Sequence, residues 1–446
     1  MADPYKVVAL SGNAVIDGLL NGAAWSKTKL TYSFGASDIN SNGVPDMNEG
    51  DWKAFYRQIL DNVESFTKLR FTEVASSGNI NFLLFEGGGG ESGVPGPGAV
   101  SVTSSVGIDK DVAGSAEAVR LGTFSLTWIH EFGHALGFKH PHDTDTGPAM
   151  PGVGDPASHG TGQINSQIYT VMGYTSPYLG EDNPFTDAVD VGAELNAQPG
   201  SFGAIDIAAL QYMYGKTAHN AADTVYRFSD DVDFNKGYTT IWDTGGVDEI
   251  RYVGSSRVKI DLRAATLKAE IGGGGWTSTS ETLTGGYTIA NGVTIEKARG
   301  GSKADILIGN ASANVLSGLA GDDSLTAGDG ADRLIGGAGK DSLSGGGGAD
   351  VFVFKSADSS AKMSSADTIS DFGSRDRLDF SAFGSDVDQD LSFIGAKAFS
   401  GDAGEIRLRH QASAVVVEAD LDGDKIVDFR VRLLNGHEPV AANFDL

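Results

Sequence analysis

The stretch IHEFGHALGFKHPHDTDTG, residues 129 to 147, places four histidines, one glutamate and two aspartates within nineteen positions. His130 and His134 are one helical turn apart, so on a helix both imidazoles leave the same face and can meet one ion. Glu131, beside the first histidine, can reach water on that ion without being a ligand itself. Gly137 can end the helix in the left-handed conformation and turn the chain, which brings His140 back as a third ligand. Pro141 keeps the helix from resuming. The spacing H-E-x-x-H-x-x-G-x-x-H is complete, and an ordinary amphipathic helix gives no reason for it. His142 reads as a solvated loop residue, while Asp143 and Asp145 stay open between solvated loop and incidental ion site.

A second chemistry lies further along. From Gly300 the chain repeats with a period of nine: GGSKADILI, GNASANVLS, GLAGDDSLT, AGDGADRLI, GGAGKDSLS, GGGGADVFV. Position six is Asp305, Asn314, Asp323, Asp332, Asp341 and Asp350, and position eight is Leu307, Leu316, Leu325, Leu334, Leu343 and Phe352. Six residues make a glycine-permitted turn that offers carbonyls and a carboxylate to calcium; three make a strand with its apolar residue inward. Two repeats form one coil of a parallel β-roll, which pairs Asp323 with Asp341 and Asp332 with Asp350. A flexible glycine linker would not keep an apolar residue at every eighth position. The first two units are degraded, since GGSKADILI lacks the fourth-position glycine and Asn314 replaces an aspartate. DINSNGVPDMNE fits a calcium loop through Asp38, Asn40, Asn42, the Val44 carbonyl, Asp46 and Glu49, and equally an Asn/Gly turn capping the next helix. DLDGDKIVD offers Asp420, Asp422 and Asp424 more weakly.

These residues need elements to hold them. AWSKTKLTYSFG reads as a strand, EGDWKAFYRQILDNVESFTKL as a helix burying Trp52, Phe55, Ile59 and Val63, and RFTEVA and INFLLFEGG as two more strands. A glycine- and serine-rich stretch leads to a helix from about Ser115 or Thr123 to Phe138 that carries the histidines. SFGAIDIAALQYMYG reads as a closing helix with Ser201 or Asp206 near its start. Beyond Gly215 short strands such as TVYRF, TTIWDTGG, DEIRYVG and KIDL dominate. GAVSVTSS, residues 98 to 105, is a candidate edge strand for pairing with an extended substrate.

Composition narrows the partners. The 446 residues include 62 glycines, and 59 acidic against 33 basic side chains give a formal net charge of -26. That charge disfavours nucleic acid and anionic membrane and favours cations. No apolar run reaches the roughly 18 residues that span a bilayer. With no cysteine, disulfides and thiolate metal sites are excluded, and an extracellular protein would need another staple, for which bound calcium is the candidate. The start, MADPYKVVAL, lacks the features of an N-terminal secretory signal.

HEFGHALGFKHP followed by YTVMGY resembles the metzincin zinc proteases, and proline after the third histidine is the mark of their serralysin branch. The resemblance continues through DIAALQYMYG, TIWDTGGVDEI, GVTIEKARGGSKADILIGN, the repeats and DTISDFGSRDRLDFSAFG. It implies an α+β fold: an N-terminal metzincin-type α/β zinc protease domain, then an all-β C-terminal domain containing a parallel β-roll. The division expected is an N-terminal extension or propeptide remnant at 1–23, protease domain 24–215, β-rich connection 216–299, calcium roll 300–353 and C-terminal β region 354–446. By resemblance His130, His134 and His140 would ligate one catalytic Zn2+, with Glu131 as general base and Met172 as the floor of the site. Tyr174, which on the residues alone reads as a core aromatic, would be a resting zinc ligand that swings away to stabilise the oxyanion. Several structural Ca2+ ions are implied, with Asp243 and Asp248 as further ligands. The implied activity is peptide-bond hydrolysis by a secreted, monomeric enzyme acting on proteins or peptides, with a proteinaceous inhibitor as a candidate partner. Export would read a C-terminal signal, although ANFDL departs from the usual terminus. The alternatives are a calcium-binding surface or adhesive protein with an inactive protease-like domain, and a zinc hydrolase of a non-peptide bond.

Overall fold

The computed structural model describes residues 5–34, 49–85, 90–92, 104–109, 125–176, 185, 199–231, 237–283, 285–355, 358, 362–383 and 390–446. Asp38, Asn40, Asn42 and Asp46 of the candidate calcium loop lie outside them, and Glu49 is described only as the first residue of a helix.

The N-terminal half joins one sheet to helices α1 (Ala14–Asp17), α2 (Glu49–Phe66), α3 (Ser125–Leu136) and α4 (Ala204–Tyr214). The sheet runs Arg70–Glu73, Lys29–Phe34, Ile80–Phe85, Ser104–Asp109, Gly90–Ser92; only the last pairing is antiparallel. α2 buries Tyr56, Ile59, Leu60 and Val63, at the i, i+3, i+4, i+7 spacing that puts one stripe toward the core. α3 is more deeply set: Trp128, Ile129, Phe132, Ala135 and Leu136 have no accessible surface. It packs against strands Ser104–Asp109 and Gly90–Ser92. Of the expected edge at 98–105, residues 98–103 lie outside the described ones; Ser104 and Ser105 pair with Ile80 and Asn81, and among the described residues Gly90–Ser92, paired with Val106–Ile108, occupies the border.

The stretch set apart at residues 1–23 does not stand apart from residue 5 onward. Tyr5–Val7 pairs with Ala23–Trp25, Asn13 caps α1, and Val15, Leu19 and Leu20 are buried in the core shared with α3.

Beyond α4 the chain is β-rich among the described residues, in an eight-stranded and a twelve-stranded sheet. Through the repeats, successive strands alternate between them, so the parallel partner of each residue is eighteen positions on: Leu307 pairs with Leu325 and Leu325 with Leu343, Leu316 with Leu334 and Leu334 with Phe352. These side chains stack between the sheets with 0–1% exposure. The stacks outlast the repeats, from Leu343 to Ile369 and Leu433, and from Phe352 to Leu378 and Phe444. Removing a buried leucine leaves a cavity that a close-packed stack cannot collapse into. Leu334→Ala should therefore cost about 2–5 kcal/mol in chemical denaturation; a change within noise would show that the stack does not carry the roll's stability.

Candidate metal centre and carboxylate ladder

α3 ends in the way its histidines require. Gly137 adopts φ 110°, its N–H donates to the His134 carbonyl, and the Phe138 N–H donates to Gly133. A Cβ on Gly137 would lie 2.5 Å from the Ala23 carbonyl oxygen, so both conformation and space demand glycine here. The reversed chain carries His140 back over α3. The Nε2 atoms of His130 and His134 then lie 3.2 and 3.0 Å from that of His140.

Hydrogen bonds to the other ring nitrogens give this convergence its meaning. Nδ1 of His130 faces the Val171 carbonyl at 2.8 Å and Nδ1 of His134 the Phe138 carbonyl at 3.0 Å. A carbonyl can only accept, so each Nδ1 carries its proton. Burial, with the neighbouring imidazoles, lowers His130 to about 3; burial also lowers His134 to about 4. Both rings are neutral near pH 7, so each Nε2 presents a lone pair. His140 completes the pattern with Nδ1 at 3.1 Å from the Asp143 carboxylate. Three ring lone pairs aimed at one point repel unless a cation lies among them, and imidazole nitrogens in a tetrahedral arrangement suit zinc. The three histidines fit a metal on this ground.

Around the imidazoles lie the remaining expected residues. Glu131 is 8% exposed. Tyr174 is 52% exposed, with its hydroxyl 2.7 Å from His140 Nε2. Burial raises the Tyr174 pKa, reinforced by the charges of Glu131 and Asp143. Met172 is fully buried, and a Cβ on Gly133 would come within 2.7 Å of its sulfur; the glycine in the middle of α3 lets the methionine turn close against the helix. Asp206, fully buried at the start of α4, accepts from the Val171 and Gly203 N–H groups and the Thr170 hydroxyl. It thereby holds the segment whose Val171 carbonyl orients His130.

One residue left open in the sequence is given a partner, and one differs from its reading. Asp143 is a partner of the third histidine, bonding both its ring and its main-chain N–H at 3.1 Å. The available signal is a carboxylate three residues after a candidate metal-ligating histidine, a carboxylate being a usual acceptor for the second ring nitrogen of such a ligand. His142 is half-buried rather than solvated, with its ring stacked on His140 at 5.4 Å and 13°.

The repeat aspartates form two ladders. Oδ1 of Asp323 accepts the Asp305 N–H, Oδ1 of Asp341 accepts that of Asp323, and Oδ1 of Asp367 accepts that of Asp341. The second runs Asn314, Asp332, Asp350, Asp376. Oδ2 of Asp323, Asp332, Asp341 and Asp350 is buried without a hydrogen-bond partner, an arrangement that suits an oxygen-seeking cation. Asp305 differs, since Val258 and Gly301 N–H groups take its two oxygens. Asn314 is likewise satisfied by Asn310 and Glu296. Asp367 and Asp376 escape a reading by period because the step to them is 26 residues, not 18. Elsewhere Asp243 accepts from Tyr226 and Gly245, while Asp248 holds the Thr224 N–H through one oxygen and leaves the other buried and unpartnered. Asp420, Asp422 and Asp428 gather within 4.8 Å, the first bonded to Gly423 and Lys425 N–H groups.

With the geometry established, comparison with known proteins places the chain. The family model for the peptidase M10 serralysin C terminal matches residues 214–445. Metalloprotease AprA of Pseudomonas entomophila is 34% identical, over 93% of this chain and 86% of its own. Serralysin A of Dickeya chrysanthemi is 34% identical over 91% and 82%, and serralysin of Proteus mirabilis 34% over 86% and 80%. Similarity of this extent, together with the three-histidine centre, defines a metalloendopeptidase. The chain belongs to the serralysin family.

The ladder makes a prediction about protons. Burial, then neighbouring carboxylates, pushes Asp323 up to about 7, Asp332 to about 6 and Asp341 to about 8, from an ordinary value of 3.8. The folded ladder therefore binds protons more tightly than the unfolded chain. Without a cation its stability is greatest below about pH 4 and falls as pH rises through about 6 to 8. In a chelating buffer, melting of the β signal by circular dichroism should occur at higher temperature at pH 5 than at pH 8, and calcium should narrow the difference. A chelated protein that melts higher at pH 8 contradicts this.

Proposed function

We propose that this metalloendopeptidase is a secreted zinc enzyme, stabilised by calcium, that hydrolyses peptide bonds of extracellular proteins. The observation that carries the reading is the convergence of three neutral imidazole lone pairs beside a buried glutamate. His130, His134 and His140 would hold the zinc, with Tyr174 as a further oxygen ligand, and the ion would supply Lewis acidity toward the substrate carbonyl and its water.

The chain's own groups do the rest. Glu131 takes the proton of the attacking water and returns it to the leaving amine. Tyr174, exposed and beside His140, can leave its resting place and offer its O–H to the developing oxyanion. Asp143 and the carbonyls of Val171 and Phe138 hold the three rings in the orientation that keeps Nε2 available. The border strand Gly90–Ser92, adjoining α3, has no partner on its outer edge among the described residues, and an extended substrate can add there.

The proposed division is a protease domain at 24–215, into whose core residues 5–23 pack, a connecting β part at 216–299, a calcium roll at 300–353 and a C-terminal β region at 354–446. Asp323, Asp332, Asp341 and Asp350 are the proposed calcium ligands in the roll, and Asp243 and Asp248 those of a site before it. Asp305 is a weaker donor, its oxygens being satisfied within the protein. Among the described residues no helix is long and apolar enough to cross a membrane; export through a C-terminal signal, a monomeric state and control by a protein inhibitor belong to the same reading. The inactive, adhesive alternative is disfavoured because Glu131 and all three histidines are present.

Glu131→Gln should lower kcat on unfolded casein about 10²–10⁴-fold, the usual contribution of a general base, while zinc content stays at one per chain by atomic absorption. Wild-type protein that binds zinc and cleaves no unfolded protein or peptide would overturn the reading.

A further inference from the structure

Lys139 stands beside His140 in sequence, and its side chain is turned inward, 4% exposed. Its Nζ lies 3.0 Å from the carbonyl oxygen of Gly18, 2.6 Å from that of Asp143, 3.0 Å from that of Pro148 and 3.5 Å from that of His140. All four are main-chain acceptors. A buried ammonium is costly unless its donors are satisfied, and here the satisfaction comes from two parts of the chain distant in sequence, Gly18 and the loop from His140 to Pro148. The ammonium occupies the place that a bound cation would take in gathering carbonyls.

Main-chain bonds join the same segments. The Lys139 N–H donates to the Leu19 carbonyl at 2.9 Å, and the Asn21 N–H to the Gly137 carbonyl at 3.1 Å. Leu19 and Leu20 are 0% and 1% exposed, so residues 18–21 form a fixed backing for the turn after α3. On the other side, Asp143 gives its carbonyl to Lys139 and its carboxylate to Nδ1 of His140.

We propose that Lys139 is a positioning residue for the third imidazole: its buried ammonium ties the turn bearing His140 and Asp143 to residues 18–21, so that metal affinity depends on the N-terminal segment. The inference rests on the zinc-centre reading of His130, His134 and His140. The segment 18–21 fixes the turn, Lys139 fixes Asp143, and Asp143 fixes the ring.

The test uses the full chain. Lys139→Met keeps length and apolar bulk and removes the donors; it should weaken zinc binding about 10–100-fold, the effect usual for outer partners of metal ligands, in competition with a colorimetric chelator. The cobalt-substituted variant should show an altered visible absorption spectrum, which mere loss of stability would not produce. Lys139→Gln, retaining two N–H donors, should fall between. A folded Lys139→Met protein with wild-type zinc affinity and cobalt spectrum would overturn the proposal. A second measurement needs no variant: zinc should slow hydrogen exchange at the Asn21 and Lys139 amides of the wild-type protein, and unchanged exchange at both would overturn the proposal equally. Wild-type protein that takes up no zinc would instead overturn the metal-centre reading beneath it.

Discussion

Each ring of the His130, His134 and His140 cluster has one nitrogen committed to an oxygen acceptor, and that commitment forces the other three nitrogens to face one another unprotonated. Much of the N-terminal half is arranged to maintain this unfavourable convergence. The Val171 carbonyl can hold His130 only because Asp206 pins the same residue's N–H against the start of α4. The Phe138 carbonyl can hold His134 only because Gly137 reverses the chain within one residue. A cation relieves the electrostatic tension among the rings, and the surrounding hydrogen bonds ensure that the tension exists before the cation arrives. Preorganisation of this kind moves the cost of ordering the ligands from metal binding to folding.

The same logic recurs in the roll with oxygen in place of nitrogen. One oxygen of Asp323, Asp332, Asp341 and Asp350 is fixed by a main-chain N–H one coil away, and the other is left buried and unpartnered. A stack of carboxylates with half their valence unmet is poorly stable in water near neutral pH unless protons or cations supply the rest. The apolar stack beneath cannot compensate by shifting, because each leucine sits in register with the ones eighteen residues away. Core and ladder are alternate faces of the same strands and turns.

The parts that repeat or obey a fixed spacing are legible in the residues. The three histidines are legible because a four-residue step, closed by a glycine-permitted turn and a further histidine, gathers side chains at one point. The roll is legible as long as its period holds, and it stops being legible at Asp367 and Asp376, where inserted residues lengthen the step although the ladder continues. Lys139 and the packing of residues 15–25 into the core cannot be read in this way, since a lysine in a turn and a short mixed segment carry no periodic signal; their meaning lies in contacts supplied by distant chain. The border strand escapes local pattern for a similar reason. Strand order in a sheet depends on crossovers, and Ser104–Asp109 inserts between neighbours that local pattern leaves adjacent.

The ladders also have a direction. In every rung the carboxylate belongs to the later coil and the N–H to the earlier one, so each coil is closed by the coil that follows it. The last closures come from Asp367 and Asp376, which lie outside the repeats altogether. In a solenoid whose units are stabilised by their neighbours, this makes the downstream segment the terminal cap. A chain emerging from its N-terminus would hold an open stack of repeats until residues 367–376 had also emerged.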